Sequence, residues 1–193
     1  MFKKIFGSSV KIDTKLYNSS LQQGDILQGE VYIKAEKDIE VRYIDLIIHV
    51  AFKEDDTYRE MKLHTHRLDD RFYLHKGQEV ILPFEFQVPI DIPTSSRHTK
   101  LYIKTDAETS AEGIFEKKDK DYFELHPHQT LLNIFHVLEQ QGFRLSEVEF
   151  ETIRNQYGNH KHQVTTNRRN YLQEFDFKPT FGSNSLVSGY QKL

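Results

Sequence analysis

The chain has 193 residues, 26 basic and 29 acidic side chains, a net charge of -3 and no cysteine. That length holds one well-packed domain or two small ones, and the charge balance gives no global pull toward nucleic acid. Disulfides and thiolate metal sites are excluded, and the lack of cysteine suits a reducing cytoplasm. Phenylalanine and tyrosine, with 14 and 10 copies, supply much of the apolar bulk, and such a core fits a β-sandwich better than a helix bundle.

The first residues, Met1-Phe2-Lys3-Lys4-Ile5-Phe6-Gly7, have a basic start without the long apolar stretch of a secretory signal. They read as a short turn packed on the end of the fold. The other reading is a weak peripheral membrane contact, with Phe2, Ile5 and Phe6 beside Lys3 and Lys4. No apolar run approaches the ~20 residues needed to span a bilayer.

Period-two alternation dominates residues 10–125, the signature of half-buried strands. Val10, Ile12, Thr14 and Leu16 alternate with Lys11, Asp13 and Lys15, predicting a strand with one wet face. Residues 18–25 read as a turn-rich link. Leu27, Gly29, Val31 and Ile33 fall on one face of the next strand, and Gly29 marks a bulge or a close approach of another backbone. The clearest strand runs over 40–53, with Ile44, Leu46, Ile48, Val50 and Phe52 on one face. Tyr43, Asp45, Ile47, His49 and Lys53 lie on the other. Glu54-Asp55-Asp56 turns the chain into a return strand over 57–68, followed by a short segment at 72–74. Residues 80–89 form a strand with Leu82, Phe84, Phe86 and Val88 inward, and Pro83 within it predicts an edge or a bulge. Leu101, Ile103, Thr105 and Ala107 make the next strand, and the charged run 117–121 leads into another at 122–125. This spacing of strands and polar turns indicates an all-β sandwich.

One helix interrupts the pattern. Pro127 suits its first position and Gly142 the position just past its end. Leu131, Leu132, Phe135 and Leu138 form an apolar stripe with Ile134 at its margin. Strands follow at 143–153 and 171–178. Between them lies a polar loop, 155–170, with His160, Lys161, His162, Arg168 and Arg169, a local basic stretch suited to a solvated hairpin loop or to an acidic partner. Residues 181–193 have loop composition.

Candidate chemistry is sparse. His64 and His66 share a strand face because side chains repeat with period two, and they lead a metal-binding reading. Pairs at the same spacing occur at His126/His128 and His160/His162, with His126 read as the residue that leads into the helix. Zinc sites need three or four ligands, and the His-Glu-x-x-His motif is absent. No nucleophile elbow, phosphate-binding loop or dinucleotide fingerprint is present. Nothing in the sequence calls for a cofactor, and the reading is a non-enzymatic binding protein.

Several strings resemble the SpoOM family of bacterial sporulation-control proteins. They are Val10–Thr14, Gly24–Ile33, Leu82–Pro89, the helix string from His126-Pro127 to Gly142–Leu145 with Glu147–Glu149, and Gln173–Thr180. The resemblance covers about residues 1–180. It implies an arrestin-like, immunoglobulin-type β-sandwich over 1–125, a connecting helix over 126–142, a partial second β domain over 143–180 and an irregular tail over 181–193. Members of the family continue through a complete second sandwich, so this part is expected to be an incomplete sheet. It would expose Phe150, Phe175 and Phe177 and leave an edge for pairing between copies of the chain. The implied role is regulation of sporulation or a related cell-cycle process through contacts with other proteins. The alternative is a metal-binding protein or metal-assisted hydrolase built on His64 and His66.

Overall fold

The computed structural model describes residues 9–54, 56–69, 71–110, 113–116, 120–152 and 171–180. In chain order the elements are β1 (Val10–Leu16), β2 (Ser20–Gln22), β3 (Ile26–Ala35), β4 (Ile39–Glu54), β5 (Thr57–Asp69), β6 (Phe72–Leu74) and β7 (Glu79–Gln87). There follow β8 (Thr99–Thr109), β9 (Gly113–Glu116), β10 (Asp121–His126), α1 (Gln129–Gln140), β11 (Phe143–Thr152) and β12 (Tyr171–Pro179). A three-stranded sheet in the order β1-β3-β7 faces a seven-stranded sheet in the order β2-β10-β8-β4-β5, with β6 also on β4 and β9 also on β8. β11 and β12 form a separate two-stranded ribbon.

The alternating pattern places the core between the two larger sheets. Leu27, Val31 and Ile33 of β3 meet Ile44, Leu46, Ile48, Val50 and Phe52 of β4, Leu101 and Ile103 of β8, and Phe84 and Phe86 of β7. The inward hydroxyls of Thr14 and Thr105 bond each other at 2.6 Å across the sandwich, which satisfies two buried polar groups that would otherwise destabilise it. Gly29 sits under the Phe84 ring. A Cβ there would lie 2.3 Å from the Lys15 carbonyl oxygen and 2.6 Å from Phe84 Cζ. The expected close approach is therefore real, and the register through Gly29 is unbroken on both sides, so no bulge is involved. Pro83 lies in β7, which among the described residues pairs only with β3, the edge setting that suits a missing N–H.

Three local expectations are revised. Within the stretch expected as a link, Ser20–Gln22 is a short strand that pairs in parallel with β10. Gly113–Glu116 adds a strand on β8 that alternation did not reveal. The helix begins at Gln129 and not at Pro127, and its N-cap is His128, whose Nδ1 accepts the Thr130 N–H at 3.2 Å. Gly142 does close the helix, at φ 83, the left-handed C-terminal conformation that glycine adopts without strain. The β4–β5 hairpin turns at Asp56, φ 63, with Lys53 Nζ on its carboxylate at 2.6 Å.

Candidate functional site

His64 and His66 lie on β5, and a bulge decides which way they face. Ile48 pairs with His64 but the next residue, His49, pairs with Lys62. Leu63 is thus an extra residue, and one extra residue swaps the faces of the residues beyond it, here as far as the second shift at Leu68. His64 and His66 consequently point inward, opposite Ile48 and Leu46. Both rings rest on Phe86 of the opposing sheet, His66 stacked at 4.6 Å and His64 tilted at 6.1 Å. They line the β5–β7 side of the sandwich as flat packing surfaces. Among the described residues, no group of three or more His, Asp or Glu is arranged to hold a metal ion.

The other histidine pairs do separate work. His126 ends β10, with its Nε2 3.1 Å from the Ser20 hydroxyl, so it ties β10 to β2, while His128 caps the helix. The pair His160/His162, with the rest of the loop 155–170, lies outside the described residues, as do residues 1–6 and the tail 181–193.

The same bulge turns Lys62 outward, and the outer face of the seven-stranded sheet carries a cluster that alternation alone did not disclose. Tyr102 is fully buried although it stands opposite His49 on the solvent side of the sheet. The His49 ring stacks on it at 5.4 Å and 12°, and Tyr122 packs beside it at 5.4 Å. The Lys120 ammonium sits 4.7 Å above the Tyr102 ring and forms an ion pair with Glu60. A cation over an aromatic face is attracted by the ring quadrupole, by about 0.5–2 kcal/mol depending on desolvation. Burial, and then the Glu60 carboxylate next to it, pushes the Tyr102 phenol well above the usual range. Lys120, then Tyr102, holds the Glu60 carboxyl low. Burial and the neighbouring Lys104, joined by Lys62 and Lys120 and opposed by Glu60, push the His49 imidazole below its ordinary value. His49 is therefore neutral at pH 7, and the cluster is a fixed aromatic base ringed by ammonium groups.

Cross-strand register places four further lysines on this face. Lys62 stands opposite His49, Lys104 opposite Ile47, Lys100 opposite Ala51 and Lys53 opposite Tyr58. Lys53 is held by Asp56 and Lys120 by Glu60. Among the described residues, no carboxylate lies within ion-pair distance of Lys62, Lys100 or Lys104. Toward its other end the same face is self-neutralised. Arg67 clasps Asp45 through two bonds of 2.5 and 2.9 Å and lies 3.8 Å over Tyr43, and Arg42 bonds Glu108 at 2.7 Å.

Beside the lysines the sheet opens. β10 pairs with β8 only as far as Phe123, and its last three residues pair with β2 instead. Ser95 takes over at that point, donating its N–H to the Leu125 carbonyl at 2.8 Å and accepting the Leu125 N–H on its hydroxyl at 3.0 Å. The strands part around an open groove of about 600 Å³ whose rim carries Ser19, Ser20, Ser96, Thr99, Lys100, Tyr122 and the exposed carboxylate of Glu124.

The ribbon and helix form a second ensemble. Phe150 was expected on the surface, yet it is buried and meets Phe52 of β4 edge-on at 4.7 Å. Gln173 makes three bonds to Thr94, accepting from its N–H at 2.8 Å and hydroxyl at 3.1 Å and donating to its carbonyl at 3.0 Å. These contacts dock the ribbon on the sandwich. Phe175 and Phe177 are half-buried against Phe135 of α1, at 5.1 and 5.2 Å, so part of the apolar stripe faces protein as the spacing suggested. Ile134 and Val137 on the other side are 44% and 56% exposed.

The comparisons with known proteins agree with this architecture. The chain matches the family described as SpoOM protein over residues 2–188. The chain belongs to the SpoOM family. It is 30% identical over 190 residues to the sporulation-control protein spo0M of Bacillus subtilis (strain 168), an alignment that takes in 94% of this chain and 69% of that protein. The crystal structure of Spo0M from Bacillus subtilis superposes with a TM-score of 0.73 at 27% identity, covering 91% of this chain and 69% of that one. The arrestin-like sandwich is thus the family's fold. No helix among the described residues is long and apolar enough to cross a membrane.

Proposed function

We propose that this chain is a non-enzymatic regulator of sporulation that acts in the cytoplasm by binding other proteins. Kinship with a sporulation-control protein supports the biological role. One structural observation carries the molecular role: three lysines without a carboxylate partner among the described residues, set on a rigid aromatic base on an exposed sheet face. Charges that satisfy each other within a fold contribute to that fold, whereas unpaired charges held in place are available to a partner. The test is complementation. A Bacillus subtilis strain lacking its spo0M protein should regain its parental sporulation behaviour when it makes this chain at comparable abundance. Failure to do so, with the protein present and folded in the cell, would contradict the proposal.

A further inference from the structure

We propose that the lysine-bearing half of the outer sheet face is the docking site for an extended, acidic segment of a partner protein; this rests on the protein-binding reading above. The face and such a segment are complementary in charge. Lys62, Lys100 and Lys104 project from two strands of one face, while toward the other end of that face Arg67 pairs with Asp45 and Arg42 with Glu108.

Lys100 and Lys104 are four residues apart on β8, about 13 Å, and β5 lies two strands from β8, about 10 Å. A triangle of that size is too wide for one phosphate or one carboxylate. It matches an extended chain, in which residues on one face recur every ~6.7 Å, so acidic side chains at alternate positions reach successive lysines. Tyr58 and Tyr122 are exposed at the two flanks of the patch, and tyrosine is enriched at protein interfaces, where one ring supplies both apolar area and a hydroxyl. The groove beside Lys100 and Tyr122 is rimmed by serines and by the Glu124 carboxylate; its hydroxyls suit backbone groups of the bound segment, and the carboxylate confines the acidic side chains to the lysine side of the groove.

Nucleic acid fits less well. Phosphate recognition favours the planar fork of arginine, and the register puts lysine and not arginine on this half of the face. Fixed geometry completes the case: the Tyr102 base is stacked by His49, bridged by Lys120 and closed by Glu60, so the face is formed before a partner arrives and little ordering is lost on binding.

The test uses the full chain and a fluorescein-labelled peptide alternating Glu and Ser, read by fluorescence anisotropy across a salt series. The peptide should bind, more weakly as salt rises. A variant with Lys62→Gln, Lys100→Gln and Lys104→Gln should bind about tenfold more weakly with an unchanged melting temperature, and a Lys11→Gln, Lys15→Gln control on the opposite sheet should bind like the parent. Equal binding by the triple variant would overturn the proposal. So would stronger binding of a single-stranded oligonucleotide or of phosphatidylglycerol vesicles than of the peptide, or full displacement of the peptide by inorganic phosphate at equal charge concentration. Should the triple mutant misfold, Lys62→Gln and Lys100→Gln singly must each weaken binding. Peptide binding that fails in a chain that still complements refutes this site alone; a chain that does not complement refutes the sporulation reading whatever the peptide does.

Discussion

Replacing Gly29 by alanine tests the packing of the sandwich at its tightest point. The added Cβ would lie 2.3 Å from the Lys15 carbonyl oxygen and 2.6 and 2.9 Å from two carbons of the Phe84 ring. Contacts that short do not persist, so either the backbone of β1 or the ring must move. The ring has little room, because Phe84 is only 6% exposed, and the β1 carbonyl belongs to a strand in continuous register with β3 from Val10 to Leu16. Overpacking of this kind costs about 1–3 kcal/mol, and in a chain of this size each kcal/mol lowers the melting temperature by about 2–4 °C. Urea denaturation should show a lower midpoint with an unchanged slope, the mark of lost stability without a change in the surface exposed. Adding Phe84→Leu to Gly29→Ala should cost less than the two single changes summed, because the shorter side chain frees the space that the new methyl needs. A Gly29→Ala chain within about 0.5 kcal/mol of the parent would refute the close approach.

Further outcomes follow from other contacts. His49 in the folded chain binds a proton less readily than in the unfolded chain, since burial and Lys104, Lys62 and Lys120 oppose the charge against Glu60. Its contribution to stability is therefore present above the unfolded imidazole value of about 6.5 and is lost as pH falls through the lower folded value. Between pH 7.5 and 5 the parent should lose stability more steeply than His49→Phe, which keeps a ring on Tyr102; equal slopes would contradict this. Phe150→Ala should undock the ribbon, because a two-stranded sheet is marginal by itself. Hydrogen exchange should then rise across β11 and β12 while β4 and β8 stay protected, and unchanged protection of the ribbon would count against docking through Phe52. Untagged protein should carry well under one equivalent of zinc, and a stoichiometric ion lost on His64→Ala would support the metal reading instead.

Much of the sandwich was legible because burial and strand period coincide in it. Ile44 to Phe52 alternates for five inward residues, Pro83 announces an edge, and Gly29 announces a close approach. What escaped reading depended on partners distant in sequence. Ser20–Gln22 has one buried residue, Leu21, and becomes a strand only because Glu124–His126 comes alongside it. The bulge at Leu63, which decides that His64 and His66 face Phe86 and Lys62 faces out, leaves no mark on the local sequence. Tyr102 sits on the face that alternation assigns to solvent, and its burial follows from Lys120, Tyr122 and Glu60, none of them nearby in sequence. The signal that could have exposed the cluster was the run of Ile47, His49 and Tyr102 at outward positions, where large or apolar side chains call for a cover. At the helix start, His128 supplies the capping nitrogen that a Ser or Asp would usually supply as oxygen, so the cap was invisible to residue preference.

The measurement that bears most directly on the account joins its two halves: sporulation of a Bacillus subtilis strain lacking spo0M, supplied either with the parent chain or with the Lys62→Gln, Lys100→Gln, Lys104→Gln variant at matched abundance. The parent should restore sporulation and the variant should not. Equal restoration by both would show that the lysine face is not the working surface, and no restoration by the parent would contradict the sporulation role itself.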